Sequence, residues 1–154
     1  MPEKIEAKVT HRFPFPPERV YAAFTDPALA RLWQEAWLNH HGGDGEITLF
    51  SYDPQVGGHY RVEGLRDGQA SQSWGRFLAL ERPTKISYSF IVDPAEEDDP
   101  SIVTLIIEPE PDGNGAIVTL YNEMDAEWAD WLPQTERAWL NMLAAIDTIL
   151  RLNA

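Results

Sequence analysis

The C-terminal end of the chain carries the pattern that most constrains the fold. Between about Pro133 and Leu152 the apolar residues recur at helical spacing and form one stripe of Trp139, Met142, Leu143, Ile146, Ile149 and Leu150. A helix of roughly twenty residues is about 30 Å long, and it cannot bury such a stripe alone. The rest of the chain must therefore supply a second apolar layer for this helix to pack against.

The residues before this helix supply that layer, because apolar and polar residues alternate in them. Ile5, Ala7 and Val9 form one side of a first strand over residues 4–13, and His11 is assigned to the outward side. Further alternating runs lie at residues 46–53, 59–64, 73–81, 85–92, 101–110 and 116–124. Ile47 and Leu49 are predicted to share one side of their run, opposite Thr48 and Phe50. The inward sets of later runs are predicted to be Tyr60 and Val62, and Ile86, Tyr88 and Phe90. Short turns join neighbouring runs, which predicts an antiparallel sheet.

Two short helices are predicted between the first strand and the others. Pro16 and Pro17 suit the start of the first helix. Asp26 ends it and caps a second helix, which begins at Pro27 and runs to about Trp33. The order of elements predicts an α+β helix-grip fold, in which a curved antiparallel sheet of six to seven strands wraps around the long C-terminal helix. The length fits a single domain over residues 1–154.

Five segments, in order along nearly the whole chain, are similar to a known family. They are PPERVYAAFTDPALARLW, PQVGGHYRV, GRFLALERPTKISYSF, SIVTLIIEPEPDGNGAIVTLYNE and AWLNMLAAIDTIL. They resemble the activator-of-Hsp90-ATPase homologue 1-like family of the START/Bet v 1 superfamily. Three positions depart from its pattern: Gln34 stands where a second tryptophan is usual, Ala138 replaces a glycine, and Asn122 replaces a frequent histidine.

The resemblance implies the helix-grip fold directly and function only broadly. Members of the superfamily bind lipids, sterols, polyketides or plant hormones in an internal cavity, and some act as cyclases. One eukaryotic branch stimulates the Hsp90 ATPase with a domain of this kind and a second domain.

Charge and hydropathy exclude several classes of partner. The formal net charge is −13, and residues 86–154 alone hold fourteen acidic and two basic side chains. Such a surface repels phosphate backbones and anionic membranes, so nucleic acid is not expected as a partner. No apolar run is long enough to enter and span a bilayer, and no secretory signal is visible at the N-terminus. A cytoplasmic protein is the resulting expectation.

Aromatic residues are the strongest indication of a binding site. The chain has six Trp, five Tyr and six Phe, and aromatic walls with a few hydroxyl groups suit planar, mostly apolar ligands. Asn122 and Tyr88 are predicted to point inward as polar groups that orient a ligand or bond a neighbouring backbone group. The full set of candidate ligand-binding residues is Trp33, Trp37, Tyr60, Trp74, Phe77, Tyr88, Phe90, Asn122, Met142 and Leu143.

No cofactor or metal site is predicted. The chain has no cysteine, which removes thiolate ligands. His40, His41 and Asp44 could be imagined as metal ligands, but adjacent residues rarely converge on one ion. No P-loop, dinucleotide fingerprint or serine elbow is present.

Three hypotheses for function follow. The first is a non-enzymatic carrier or sensor that binds a small apolar or aromatic molecule in an internal cavity. The second is a co-chaperone-like interaction module that docks a protein partner on the acidic C-terminal half, where DPAEEDDP forms a dense acidic run. The third is a cyclase or hydrolase, for which Tyr88 is the main candidate proton carrier. The residue pattern leaves open whether the chain forms a homodimer.

Overall fold

The structure is a computed structural model that describes residues 3–39, 45–66, 68–111 and 113–152. Its elements, in chain order, are seven strands, three helices and two short 3-10 turns. The strands are β1 (Lys4–Phe13), β2 (Glu46–Tyr52), β3 (His59–Arg66), β4 (Gln69–Glu81), β5 (Lys85–Phe90), β6 (Ser101–Pro109) and β7 (Ala116–Asp125). The helices are α1 (Pro17–Thr25), α2 (Pro27–Leu38) and α3 (Leu132–Leu152), and the 3-10 turns are Pro94–Glu96 and Ala126–Trp131.

The seven strands form one antiparallel sheet in the order β1-β7-β6-β5-β4-β3-β2. All pairs except β1 with β7 join neighbours along the chain, as short turns require. The sheet curves around α3, whose predicted stripe faces it: Trp139, Met142, Leu143, Ile146 and Leu150 are buried, and Ile149 is partly buried. The predicted α+β helix-grip fold is confirmed.

Two β-bulges bend the sheet and change which residues face its concave side. The pairing of β2 with β3 shifts between Ile47 and Leu49, and the pairing of β4 with β5 shifts between Phe77 and Ala79. A bulge adds one residue to a strand, so side-chain alternation reverses beyond it. The prediction that Ile47 and Leu49 share one side of the strand is therefore wrong. Leu49 is 41% exposed, while Phe50 packs against the core.

His11 lies on the helix-facing side of β1, and its assignment to the outward side is wrong. It shares the odd-numbered face with the buried residues Ala7, Val9 and Phe13. The His11 ring contacts Phe13, with the ring centroids 4.6 Å apart, and His11 Nε2 lies 2.8 Å from Asp147 Oδ2 of α3. Because successive side chains of a strand point to opposite faces, His11 must lie on the same face as Val9 and Phe13.

The second short helix is longer than predicted and ends at Leu38 rather than near Trp33. It begins as predicted, with the Asp26 side chain accepting a hydrogen bond from the backbone N–H of Ala28. The additional turn matters because residues four apart share a helix face. It places Trp37 beside Trp33, with the ring centroids 6.4 Å apart, and directs both rings toward α3 and the sheet.

Candidate ligand-binding site

An aromatic pocket lies between α2, α3 and the concave side of strands β2 to β5. We call it the inner pocket. It has a volume of about 30 Å³, which is room for about one water molecule. Its walls are formed by Phe24, Trp33, Gln34, Trp37, Tyr52, Tyr60, Ser73, Phe77, Tyr88, Phe90, Trp139 and Met142.

Aromatic rings fill most of the space around the inner pocket. Tyr60 and Tyr88 meet edge to face with their centroids 5.7 Å apart, and Tyr52 meets Phe77 in the same way at 5.4 Å. These are the favourable geometries for aromatic pairs. The pocket is small because these rings occupy most of the volume between the helices and the sheet.

Most of the buried polar groups on this wall have hydrogen-bond partners within the protein. Trp33 Nε1 donates to the Ala23 carbonyl at 2.7 Å. The Tyr52 hydroxyl donates to the Phe24 carbonyl at 2.6 Å, and the Tyr60 hydroxyl donates to the Ser89 carbonyl at 2.7 Å. Burying a donor without a partner is costly, so these bonds fix the orientation of each ring.

The hydroxyl of Tyr88 differs from its neighbours. The side chain is buried, with 7% exposed, yet among the described residues the hydroxyl has no hydrogen-bond partner. Every fully enclosed polar side-chain atom of these residues has a partner, so the Tyr88 hydroxyl must be reachable from the pocket. Burial raises the pKa of Tyr88 well above its usual range. The group is therefore a neutral phenol whose proton is available to a group in the pocket.

Two wider clefts adjoin the inner pocket. The first, which we call the amide cleft, has a volume of about 480 Å³ and a rim that carries Gln72, Gln134 and Arg137. The second, the acidic cleft, has a volume of about 640 Å³. Trp37 and Phe90 line both clefts and the inner pocket. These two side chains therefore lie where the inner pocket meets both clefts.

The acidic cleft combines carboxylates with exposed aromatic rings. Its wall holds Trp128 and Trp131, which are 44% and 56% exposed, together with the acidic residues Glu96, Asp99, Asp125 and Glu127. One lysine, Lys4, lines the cleft and pairs with Asp99 at 2.7 Å. The carboxylates outnumber this cation, so the cleft has a negative potential.

Seven of the ten predicted site residues line the inner pocket: Trp33, Trp37, Tyr60, Phe77, Tyr88, Phe90 and Met142. Leu143 is fully buried in the core and does not line this pocket. The prediction that Trp74 lies on the concave side is wrong. Trp74 pairs with Arg61 across β3 and β4, and the Arg61 guanidinium stacks on its ring at 4.8 Å, on the face opposite Tyr60.

Asn122 faces α3 as predicted, but it lines the acidic cleft and not the inner pocket. Its Oδ1 accepts a hydrogen bond from Trp139 Nε1 at 3.0 Å, and its Nδ2 donates to the Ile102 carbonyl at 3.3 Å. The amide therefore holds the indole that forms part of the pocket wall. Trp139, predicted to be a core residue, is both buried and in contact with Phe90 at 5.0 Å.

Sequence reasoning missed Phe24, Gln34, Tyr52 and Ser73 on the inner wall. Strict alternation places Tyr52 on the side opposite Ile47, and only the bulge in β2 brings both to the same side. Phe24 did carry a signal, since it lies on the apolar face of α1 with Val20. Gln34 was marked only as a departure from the family pattern.

Among the described residues, no group of three or more acidic, histidine or cysteine side chains is arranged to hold a metal ion. His40, His41 and Asp44, considered above as ligands, lie outside the described residues. Within the described part of the chain, none of the helices is long and apolar enough to cross a bilayer.

Comparisons with known proteins agree with this architecture. Protein CV1439 from Chromobacterium violaceum has a similar structure, with 26% identity, a TM-score of 0.69 and coverage of 97% of both chains. A Rhodobacter sphaeroides protein matches with 21% identity and a TM-score of 0.72 over 97% of this chain and 99% of its own. Protein NE0264 from Nitrosomonas europaea is 12% identical, with a TM-score of 0.74 over 97% and 96%.

Sequence comparison is more specific about the family. No curated protein matches the chain. A family model described as "Activator of Hsp90 ATPase homolog 1-like protein" matches residues 14–151. This match spans α1, α2 and nearly all of α3, and every strand except β1. The chain therefore belongs to the activator of Hsp90 ATPase homolog 1-like family.

Proposed function

We propose that this protein binds a small, mainly apolar or aromatic molecule and acts as a carrier or sensor rather than as an enzyme. The observation that carries the proposal is the Tyr88 hydroxyl, which is buried in the wall of an aromatic pocket and has no partner among the described residues. A buried polar group of this kind usually bonds ordered water or a ligand, or has another functional reason. The resemblance to the START/Bet v 1 superfamily also implies ligand binding in an internal cavity.

The ligand would place its tip in the inner pocket and its body in an adjoining cleft. The inner pocket alone is too small, but the clefts of about 480 and 640 Å³ are within the usual range of ligand sites, roughly 300–1,000 Å³. Entry would pass Trp37 and Phe90, which line the inner pocket and both clefts. Phe90 is only partly buried, so its rotation disturbs less packing than that of a core residue.

Binding without reaction fits the chemistry of the inner pocket. Its described lining includes no carboxylate, imidazole or amine. Burial raises the pKa of Tyr52, Tyr60 and Tyr88, so these phenols stay protonated near neutral pH. General acid–base catalysis works best with a group whose pKa lies near the working pH. The pocket is thus better suited to hold a molecule than to transform it.

Native mass spectrometry tests the proposal first. The protein would be sprayed before and after denaturation, and an aromatic and lipid library would then be screened by thermal shift. We expect a co-purifying small molecule, or compounds that raise the melting temperature by several degrees. A protein with neither an adduct nor a hit would contradict the proposal.

Carbon-13 methyl labelling of methionine then locates the ligand. The chain has three methionines; Met142 lines the inner pocket and Met124 lines the acidic cleft. A ligand in the proposed site should shift the Met142 methyl signal. A hit that shifts only the Met124 signal would place binding in the acidic cleft and contradict the proposed position.

A protein partner on the acidic cleft is the second candidate, favoured by the half-exposed Trp128 and Trp131 among carboxylates. Such a partner would present basic and apolar side chains. Retention of a partner at low salt and its release at high salt would support this function. The variant Trp131→Ala should lose the partner, and retention by this variant would count against the cleft as the docking surface.

A further inference from the structure

We propose that the buried end of the ligand is a neutral hydrogen-bond acceptor, such as a carbonyl oxygen, and that the Tyr88 hydroxyl is the donor that selects it. This inference rests on the proposed function and specifies the chemical class that the same site would take. It concerns the one point in the inner pocket where a described polar side chain is more than nine-tenths buried and has no partner.

The direction of the hydrogen bond follows from the surroundings of Tyr88. A phenol has one proton to donate and oxygen lone pairs that can accept. Tyr52 donates to the Phe24 carbonyl and Tyr60 donates to the Ser89 carbonyl, whereas no described residue accepts the proton of Tyr88. An acceptor for this proton would therefore come from outside the described protein.

The acceptor should be uncharged. No described lysine, arginine or histidine lines the inner pocket, so a carboxylate placed there would lose its hydration without gaining an ionic partner. Moving an ionised carboxylate into such surroundings is far more costly than moving a neutral carbonyl that receives a hydrogen bond. The cationic Arg137 belongs to the rim of the amide cleft and not to the inner pocket.

The size of the inner pocket also supports a ligand whose small polar end lies in the pocket and whose body lies outside it. About 30 Å³ accommodates roughly one water-sized group, which matches an oxygen atom and its carbon more closely than a ring. The ring or chain of the ligand would lie beyond it, against Trp37 and Phe90.

The test compares acetophenone with isopropenylbenzene, in which a methylene group replaces the carbonyl oxygen, and with benzoate. Binding to the whole protein is followed by the methyl signal of Met142. The variant Tyr88→Phe should weaken acetophenone binding about tenfold, as expected for the loss of one hydrogen bond, and should leave isopropenylbenzene within about twofold. Benzoate should bind much more weakly than acetophenone.

Tyr121→Phe is the matched control, because Tyr121 lies on the outer face of β7 with Lys8 over its ring. This variant should not change the affinity for any of the three probes. The inference would be overturned if Tyr88→Phe lowered the affinity for both neutral probes equally or for neither. Tight binding of benzoate would also overturn it. In each of those cases the proposed function would stand. Failure of all three probes to bind the unmodified protein would instead overturn both proposals.

A second measurement uses the unmodified protein and does not depend on the variant folding. The carbonyl stretching band of carbon-13-labelled acetophenone moves to lower frequency when the oxygen accepts a hydrogen bond. We expect this shift in the bound ketone relative to the ketone in an apolar solvent. A bound carbonyl with the frequency seen in the apolar solvent would contradict the donation by Tyr88.

Discussion

Tyr60 and Tyr88 meet edge to face beside the inner pocket, but their hydroxyl groups have different surroundings. The Tyr60 hydroxyl donates to the Ser89 carbonyl at 2.7 Å, whereas the Tyr88 hydroxyl has no partner among the described residues. The same substitution at the two positions therefore removes one oxygen from each ring with different consequences. This pair separates an oxygen that stabilises the fold from one that is available to a ligand.

We expect Tyr60→Phe to lower the free energy of unfolding by about 1–3 kcal/mol, because it leaves the buried Ser89 carbonyl without its donor. Tyr88→Phe should leave the free energy of unfolding unchanged or raise it slightly, since no internal hydrogen bond is lost. Urea unfolding of both variants checks this. Equal losses of stability would show that the Tyr88 hydroxyl has a partner within the protein.

At the scale of the elements, an interruption in the backbone hydrogen bonding between β4 and β5 requires a glycine at Gly75 of β4. The Ser89 carbonyl is taken by Tyr60, and the backbone N–H of Arg76 donates instead to Ser89 Oγ at 3.0 Å. The carbonyl therefore leans over Gly75, where an added Cβ would lie 2.0 Å from the Ser89 oxygen. Only glycine allows this approach.

Gly75→Ala should therefore destabilise the protein, by roughly 1–3 kcal/mol or more, as expected for overpacking against backbone that cannot easily move. Because the strand must shift, it should also change the Met142 methyl signal. Gly113→Ala is the control, since an added Cβ there meets no atom within 4 Å. Similar melting temperatures for the two variants would contradict this account of the β4–β5 contact.

The elements also show how far the sequence predicts the site. The stripe of α3 and the alternation of β3 and β5 placed Met142, Tyr60 and Tyr88 correctly, because each of these segments keeps one period throughout. The bulges break the period within β2 and β4, and local residue types did not reveal them. The errors at Leu49 and the missed Tyr52 both follow from the bulge in β2.

Trp74 and Asn122 differ in what the sequence could predict. Trp74 and Phe77 are three residues apart in β4, before its bulge, so alternation alone already excludes both of them from one face. The inward direction of Asn122 was predictable from β7 alone. Its bond to the Trp139 indole was not, because it joins a strand to a helix seventeen residues later.

For the whole molecule, the buried tyrosines predict a loss of stability at alkaline pH. Burial raises the pKa of Tyr52, Tyr60 and Tyr88 in the folded state, whereas in the unfolded chain they ionise near pH 10. Above about pH 10 the folded state thus holds more protons than the unfolded state, so the free energy of unfolding falls as pH rises. Below this pH the stabilisation is fully present.

Each of these phenols should contribute a slope of up to about 1.4 kcal/mol per pH unit. Urea unfolding at several pH values between neutral and strongly alkaline measures the total slope, and Tyr88→Phe should reduce it by up to about one third. Absorbance of the ionised phenol should show the three groups titrating only as the protein unfolds. Ionisation of all five tyrosines near pH 10 in the folded protein would contradict this prediction.

The bulge in β2 has a consequence for self-association as well as for the pocket. In the described sheet β2 pairs only with β3, so its other side is an open edge whose backbone groups could add a strand from another molecule. The bulge beyond Ile47 interrupts the regular spacing of those groups and twists the edge. The irregularity that brings Tyr52 to the pocket thus also makes this edge a poor template for aggregation.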